Sequence, residues 1–278
     1  MKSLFYPFLV SDLDGTLLND SKEISAENRD SIALFRENGG IFTLATGRSY
    51  KESIKFIEQL QLTCPVILYN GAMIYDPATG QLNPVCLISR SLMLSILKDL
   101  EQKLPSSVDI FVYGTDKIYG TQVGELTKAW SDADFSLELL PSFASLPDDV
   151  VCVKLVAVAD TEEMKELVQW SRANSHLPID CVLSADHYFE ILPAGASKGN
   201  ALLKVLKTLG LSPSQAAAVG DHLNDLSMFR IAGLPAAVKN AHPQAQNHAQ
   251  LILPSNNDNA VAHLIQNHLL PTLSQTSN

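Results

Sequence analysis

The chain has 278 residues, 46% of them hydrophobic and 18% charged, with a formal net charge of −10. That much apolar material excludes a disordered chain, and 14 Gly with 14 Pro exclude a fibrous one. The excess of acid repels phosphate backbones and anionic bilayers, so nucleic acid and membranes are not expected partners, although a locally positive pocket can still take a small anion.

The expected elements alternate strand and helix. Residues 8–11 read as a short buried strand followed by a turn at Asp14-Gly15. Ser25 is a plausible N-cap for a helix that carries Ile32 and Phe35 on one face and stops at Gly39-Gly40. Residues 41–45 form a second strand, Ile54, Ile57 and Leu60 mark a second helix, and residues 65–68 form a third strand. This order implies parallel strands with right-handed crossovers, a fold in which ligands collect at the carboxyl ends of the strands. The pattern returns late: Ser197 caps a helix through Leu202, Leu203 and Leu206, residues 216–219 and 251–253 read as strands, and residues 261–269 as a last helix. Residues 274–278 are expected to fray.

The middle differs. Helical runs at 92–100 and 162–173 alternate with strand-like runs at 108–113, 151–157 and 188–192, without the post-strand Asp or Gly seen on either side. The expected architecture is α/β: a doubly wound parallel sheet formed by residues 1–82 and 189–278, with an inserted α+β cap, residues 83–188, over its carboxyl edge. No apolar run approaches the roughly 18 residues of a membrane span, and the N-terminal Met1-Lys2-Ser3 lacks a signal-peptide core. Cys64, Cys86, Cys152 and Cys181 show no metal or redox spacing. Ordinary buried thiols in a cytoplasmic protein are expected.

Four segments carry chemistry. In Val10-Ser11-Asp12-Leu13-Asp14-Gly15-Thr16, two carboxylates flank one residue at a strand end. Such a pair repels unless a cation or proton lies between them, and oxygen ligands suit Mg²⁺; alone, the triplet is also what an exposed turn looks like. Gly220-Asp221-His222-Leu223-Asn224-Asp225 again ends a small apolar strand in acids, and a helical turn brings Asp221 and Asp225 toward one face. Thr46-Gly47-Arg48 offers a hydroxyl and a free N–H for phosphate, or simply a helix cap. Lys198 sits in the first turn of its helix, opposing the dipole, as either a phosphate ligand or a solvated surface lysine. Together the four compose a phosphoryl transfer. One acid attacks phosphorus, the hydroxyl and ammonium neutralise its oxygens, Mg²⁺ bridges acid and phosphate, and the second acid protonates the leaving oxygen.

The order Asp-x-Asp, Thr, Lys, Gly-Asp-x-x-Asn-Asp resembles that of the haloacid dehalogenase-like phosphatases. With Asn70-Gly71-Ala72, Lys239-Asn240-Ala241 and the insert after the third strand, the chain is similar to the Cof-type subfamily, which has a large α/β cap. The resemblance implies Asp12 as nucleophile and Asp14 as general acid and base. It implies Mg²⁺ on Asp12, the Asp14 main-chain carbonyl and Asp221, and phosphate on Thr46, the Gly47 and Leu13 amides, Lys198 and Asn224. Asp225 would orient Lys198 or a metal-bound water, and Asn70 would support the site. The run Leu234-Pro235-Ala236-Ala237-Val238-Lys239 departs from the family's Val-Ala-Met-Gly-like stretch, and Ala260 stands where glycine is common. His222 reads as a rim residue, Trp130 and Trp170 as packing, and Asp132, Asp134 and Glu138 as a solvated face. The expected function is Mg²⁺-dependent hydrolysis of a small phosphorylated metabolite: a sugar phosphate, a nucleotide, flavin mononucleotide or pyridoxal phosphate. The alternatives are a phosphomutase of the same superfamily and a non-catalytic sugar-phosphate sensor. The oligomeric state stays open.

Overall fold

The computed structural model describes residues 4–128 and 136–270. Trp130, Asp132, Asp134 and residues 274–278 therefore lie outside the described residues. The chain divides into two compact units, one of residues up to Arg48, Ser53–Asn83 and from Ser197 onward, the other of Ser49–Glu52 and Pro84–Ala196.

The first unit is built on a parallel sheet in the order Leu251–Leu253, Leu234–Val238, Ala216–Gly220, Phe8–Ser11, Ile41–Leu44. All five strands pair in parallel. Phe8–Ser11 and Ala216–Gly220 are buried at every residue, so the central strands read as continuous apolar runs. Ser11 pairs with Val219 on one side and Leu44 on the other. Asp12, Gly220-Asp221 and Ala45-Thr46 consequently leave the sheet at one edge. After Ile41–Leu44 the chain returns on the far side of Phe8–Ser11, so this edge carries the topological switch point where open α/β sheets bind ligands.

The helices form where the caps and apolar spacing place them. Ser25 accepts from the Asn28 amide to start Ala26–Glu37, which buries Ile32 and Phe35 and ends before Gly39 at φ +87°. It packs against Ala260–Leu264, where the Ala262 amide donates to Asn28 Oδ1 at 2.8 Å. Ser197 caps Lys198–Thr208 by accepting from the Asn200 amide.

Val66–Leu68 meets the sheet through the parallel bridge Ala45–Ile67, as a third parallel strand should, and then forms an antiparallel hairpin with Met73–Asp76. One reading of the sequence changes here. Leu234–Val238, read only as a departing motif, is a buried inner strand. Pro235 hid it, because proline lacks a ladder N–H and argues against an inner strand.

The second unit holds a six-stranded sheet in the order Ile179–Ala185, Tyr188–Pro193, Lys154–Val158, Asp109–Tyr113, Ile118–Gly120, Leu137–Leu139. Its pairings are antiparallel except between the last two strands. Helices Arg90–Lys103 and Thr161–Ala173 supply Met93, Leu97, Leu100, Met164 and Leu167 to a core shared with Ile110, Val112, Leu155 and Phe189. Trp170 packs in this core, with Nε1 donating to Asp99 at 2.7 Å. Tyr188–Pro193 is a paired strand of this sheet, so the chain returns to the first unit at Ser197 rather than at residue 189. Glu138 pairs with Lys117 at 2.8 Å. All four cysteines are free thiols; Cys64 and Cys152 are buried, whereas Cys86 and Cys181 are only half-buried. Burial pushes the Cys64, Cys152 and Cys181 thiols up to about 12, which keeps them protonated. Among the described residues, no helix is long and apolar enough to cross a membrane.

Candidate active site

The chain turns sharply at the end of the first strand. The Asp12 amide makes a last rung to Val219 O at 2.9 Å, and the turn Leu13–Leu17 closes with the Leu18 amide donating to Leu13 O. Gly15 takes φ +71° inside it, a conformation that L side chains resist. A Cβ there would also stand 2.5 Å from Asp221 Oδ2. The turn thus lies directly on the acid that follows the neighbouring strand. Asn240 Nδ2 holds it from outside by donating to Gly15 O at 2.8 Å, and Thr16 Oγ1 donates to Asp221 Oδ1 at 3.0 Å.

Lys198 is fully buried, and Nζ donates to Asp12 Oδ1 at 2.7 Å and to Asp225 Oδ1 at 2.6 Å. Asp225 is equally buried. Its Oδ2 accepts from the Asp221 and His222 amides at 2.8 and 3.0 Å, so both its oxygens are committed. Gly220 permits this closeness, since a Cβ at that position would collide with the Asp225 carboxyl. Asp225 is therefore built to orient the lysine. His222 is half-buried beside this turn, its ring 5.6 Å from that of His242.

Asp12, Asp221 and Asp225 each bring an oxygen within 4.8 Å of the others. Burial raises the Asp12 carboxyl well above the usual range; the Lys198 ammonium opposes the shift, and Asp225 and Asp221 reinforce it. Burial, and then the Asp225 carboxylate, pushes Asp221 up to about 6. Three acids against one ammonium leave a surplus of negative charge in a low-dielectric corner. The clustered ligand atoms are all carboxylate oxygens, with no thiol or imidazole in the set, which fits a hard divalent cation such as Mg²⁺.

Asp14 behaves differently. Burial alone would raise its carboxyl, but Arg48 and then Lys22 more than reverse this and hold it at about 2. Arg48 grips it as a fork, Nε to Oδ2 and Nη2 to Oδ1, both at 2.7 Å, and Lys22 Nζ adds a bond to Oδ1 at 3.0 Å. The Arg48 guanidinium itself lies over the Phe56 ring at 5.2 Å. Asp14 is thus a tethered anion in this geometry.

Thr46 follows the second strand and is buried, with Oγ1 accepting from the Arg48 amide at 3.1 Å. The Asn70 amide N–H donates to Thr46 O at 3.0 Å, and Asn224 Nδ2 donates to Asn70 Oδ1 at 3.0 Å. The expected residues Asp12, Leu13, Asp14, Thr46, Gly47, Asn70, Lys198, Asp221, Asn224 and Asp225 all lie on turns at the carboxyl edge of the first unit or on the helix start beside them. Sequence reasoning gave no role to Thr16, Lys22 or Asn240, and did not pair Arg48 with Asp14. Thr16 and Arg48 stood inside quoted motifs, and that adjacency was the available signal. Lys22 is eight residues from Asp14 and arrives only through the hairpin that bridges Leu18 and Ile24.

A family profile described as haloacid dehalogenase-like hydrolase matches residues 9–265. The chain belongs to the haloacid dehalogenase-like hydrolases. It is therefore a hydrolase of that family, as its ordered motifs suggested. It is 31% identical over 284 residues to the phosphatase YwpJ of Bacillus subtilis, covering 93% of this chain and 98% of that one. It is 29% identical to the 5-amino-6-(5-phospho-D-ribitylamino)uracil phosphatase YwtE of the same organism, over 91% of this chain and 95% of the other. A solved haloacid dehalogenase-like hydrolase from B. subtilis superposes with a TM-score of 0.82 at 28% identity, covering 95% of this chain and all of the other. The likeness runs through both compact units of the hydrolase.

Proposed function

We propose that this hydrolase is a Mg²⁺-dependent phosphatase that cleaves small phosphomonoesters through an aspartyl-phosphate on Asp12. The observation that carries the reading is the fully buried Lys198 ammonium bonded to Asp12 inside a three-carboxylate cluster. A structural ion pair needs one acid per base; a surplus of acid beside a buried cation is what a site needs when it must take both a metal and a phosphoryl dianion.

In this reading an Asp12 carboxylate oxygen attacks phosphorus, the new O–P bond forming as the ester P–O bond breaks. Asp14 gives a proton to the leaving oxygen, then takes one from the water that attacks the acyl phosphate and releases phosphate with Asp12 restored. To carry that proton Asp14 must come off the Arg48 fork, because both its oxygens are engaged while it is held there. Thr46 Oγ1, the Gly47 and Leu13 amides, Lys198 and Asn224 hold the phosphoryl oxygens. Asp225 keeps Lys198 aimed at Asp12. Mg²⁺, held by Asp12, the Asp14 main-chain carbonyl and Asp221, would supply the positive charge that lets carboxylate and phosphate meet.

All the proposed phosphate ligands come from the first unit. The relative that acts on a phosphoribityl uracil supports a small phosphorylated metabolite as substrate, of the sugar phosphate, nucleotide, flavin mononucleotide or pyridoxal phosphate kind. The test is multiple-turnover phosphate release over a panel of such esters with Mg²⁺. Release of many equivalents per enzyme is expected. An isomerised ester with little free phosphate would make it a mutase, and binding without turnover a sensor.

A further inference from the structure

Three consecutive residues, Tyr69, Asn70 and Gly71, have positive φ, at 51°, 54° and 94°. For a buried tyrosine this is a strained choice, whereas asparagine is among the few side chains that tolerate it, and such strain persists only where the surroundings over-determine it. Each residue touches a different part of the site. The Tyr69 amide donates to Arg48 O, and the Asn70 amide to Thr46 O, both at 3.0 Å. A Cβ at Gly71 would collide with the Ser197 carbonyl, so the turn lies directly on the start of the Lys198 helix. The Asn70 side chain lies against Gly47, where a Cβ would come 3.1 Å from Asn70 Nδ2, and its Oδ1 accepts from Asn224 Nδ2. Asn224 Oδ1 is buried with no hydrogen-bond partner among the described residues and can only accept, so what Asn224 can offer a phosphoryl oxygen is the second hydrogen on Nδ2, and the Asn70 contact fixes which way that N–H end points.

We propose that the Tyr69–Gly71 turn is a positioning device for the phosphoryl site, and that Asn70 acts through Asn224 by fixing the orientation of its amide. The inference rests on the reading of Thr46, Lys198 and Asn224 as the groups that hold the phosphoryl oxygens. The strained backbone puts one side chain between the segment after the second strand and the segment after Ala216–Gly220, which no sequence neighbour could join. Asn70 need not touch the substrate. Its part is to stop the Asn224 amide from rotating.

The test uses the full chain with Mg²⁺ and inorganic phosphate as the probe, affinity being read by calorimetric titration and folding by thermal melting. Asn70→Gly removes the amide and relieves the backbone, whereas Asn70→Ala removes the amide and adds strain, because alanine tolerates positive φ less well than asparagine. Both variants should bind phosphate about tenfold more weakly, the worth of one charge-facing hydrogen-bonding group, while only Asn70→Ala melts earlier. In an Asn224→Ala background, Asn70→Gly should weaken phosphate binding no further. Phosphate affinity unchanged in Asn70→Gly would overturn the proposal. So would a full additional tenfold loss in the Asn224→Ala background, or a loss that follows the melting temperature in the two Asn70 variants. If the unaltered protein binds no phosphate, the phosphatase reading fails and this proposal with it. That outcome differs from the others, which all begin from a protein that binds phosphate.

Discussion

Replacing Lys198 with methionine tests the electrostatics of the site directly, because the lysine is fully buried between two carboxylates at 2.7 and 2.6 Å. At an effective dielectric of about 20, each contact contributes about 6 kcal/mol of gross attraction. Against this stands the desolvation of an ammonium, several kcal/mol, which the variant recovers. Removing one partner of a buried pair typically costs about 3–5 kcal/mol, and that is the expected loss for Lys198→Met in urea unfolding at pH 8 without Mg²⁺. The loss must depend on pH. Burial already raises the Asp12 carboxyl, and the ammonium opposes that rise, so the variant's Asp12 moves higher still. A carboxyl raised in the folded state holds more protons there than in the unfolded chain, so stability increases as pH falls through the folded pKa toward the unfolded one. The gap between Lys198→Met and the unaltered protein should therefore narrow between pH 8 and pH 5.5, and narrow again when Mg²⁺ is added at pH 8. A gap below about 1 kcal/mol at pH 8, or one of constant size across this range, would refute the reasoning.

Asp12→Asn should fold normally and show almost no phosphate release, since an amide is neither the proposed nucleophile nor an anionic Mg²⁺ ligand; near-normal turnover ends the aspartyl-phosphate reading. Asp14→Asn should slow alkyl phosphates by about 10²–10⁴-fold and activated aryl phosphates much less, measured as kcat over a leaving-group series. Asp221, pushed up to about 6 without metal, makes the metal-free protein lose stability as pH rises from about 4 to 6; Mg²⁺ should raise the melting temperature strongly at pH 7.5 and little at pH 5, where protons compete for the carboxylate. Gly220→Ala drives a Cβ into the Asp225 carboxyl, so melting temperature and activity should fall together, and an alanine tolerated without either loss would contradict the packing described.

The sequence by itself determined the framework. Helix starts at Ser25 and Ser197 were legible because capping is a local exchange between a hydroxyl and an amide three residues along the chain. Residues 8–11 and 216–219 were legible because strands buried on both faces must be apolar throughout. Once parallel strands were inferred, the residues just past their ends became the site, and the motifs Asp12-Leu13-Asp14, Thr46-Gly47 and Gly220–Asp225 fell there for a topological reason. Tertiary structure alone decided how those residues engage one another. Lys198 reads equally as a surface lysine until the fold buries it between Asp12 and Asp225, 186 and 27 residues away. Arg48 and Lys22 converge on Asp14 from different segments, and together they turn a half-buried acid into a tethered anion. Pro235 entered an inner strand against its local preference because neighbouring strands supply the packing. Local pattern fixes what a segment prefers over a few residues, whereas charge pairing and desolvation depend on distances set by the whole chain, and no spacing along the sequence encodes them.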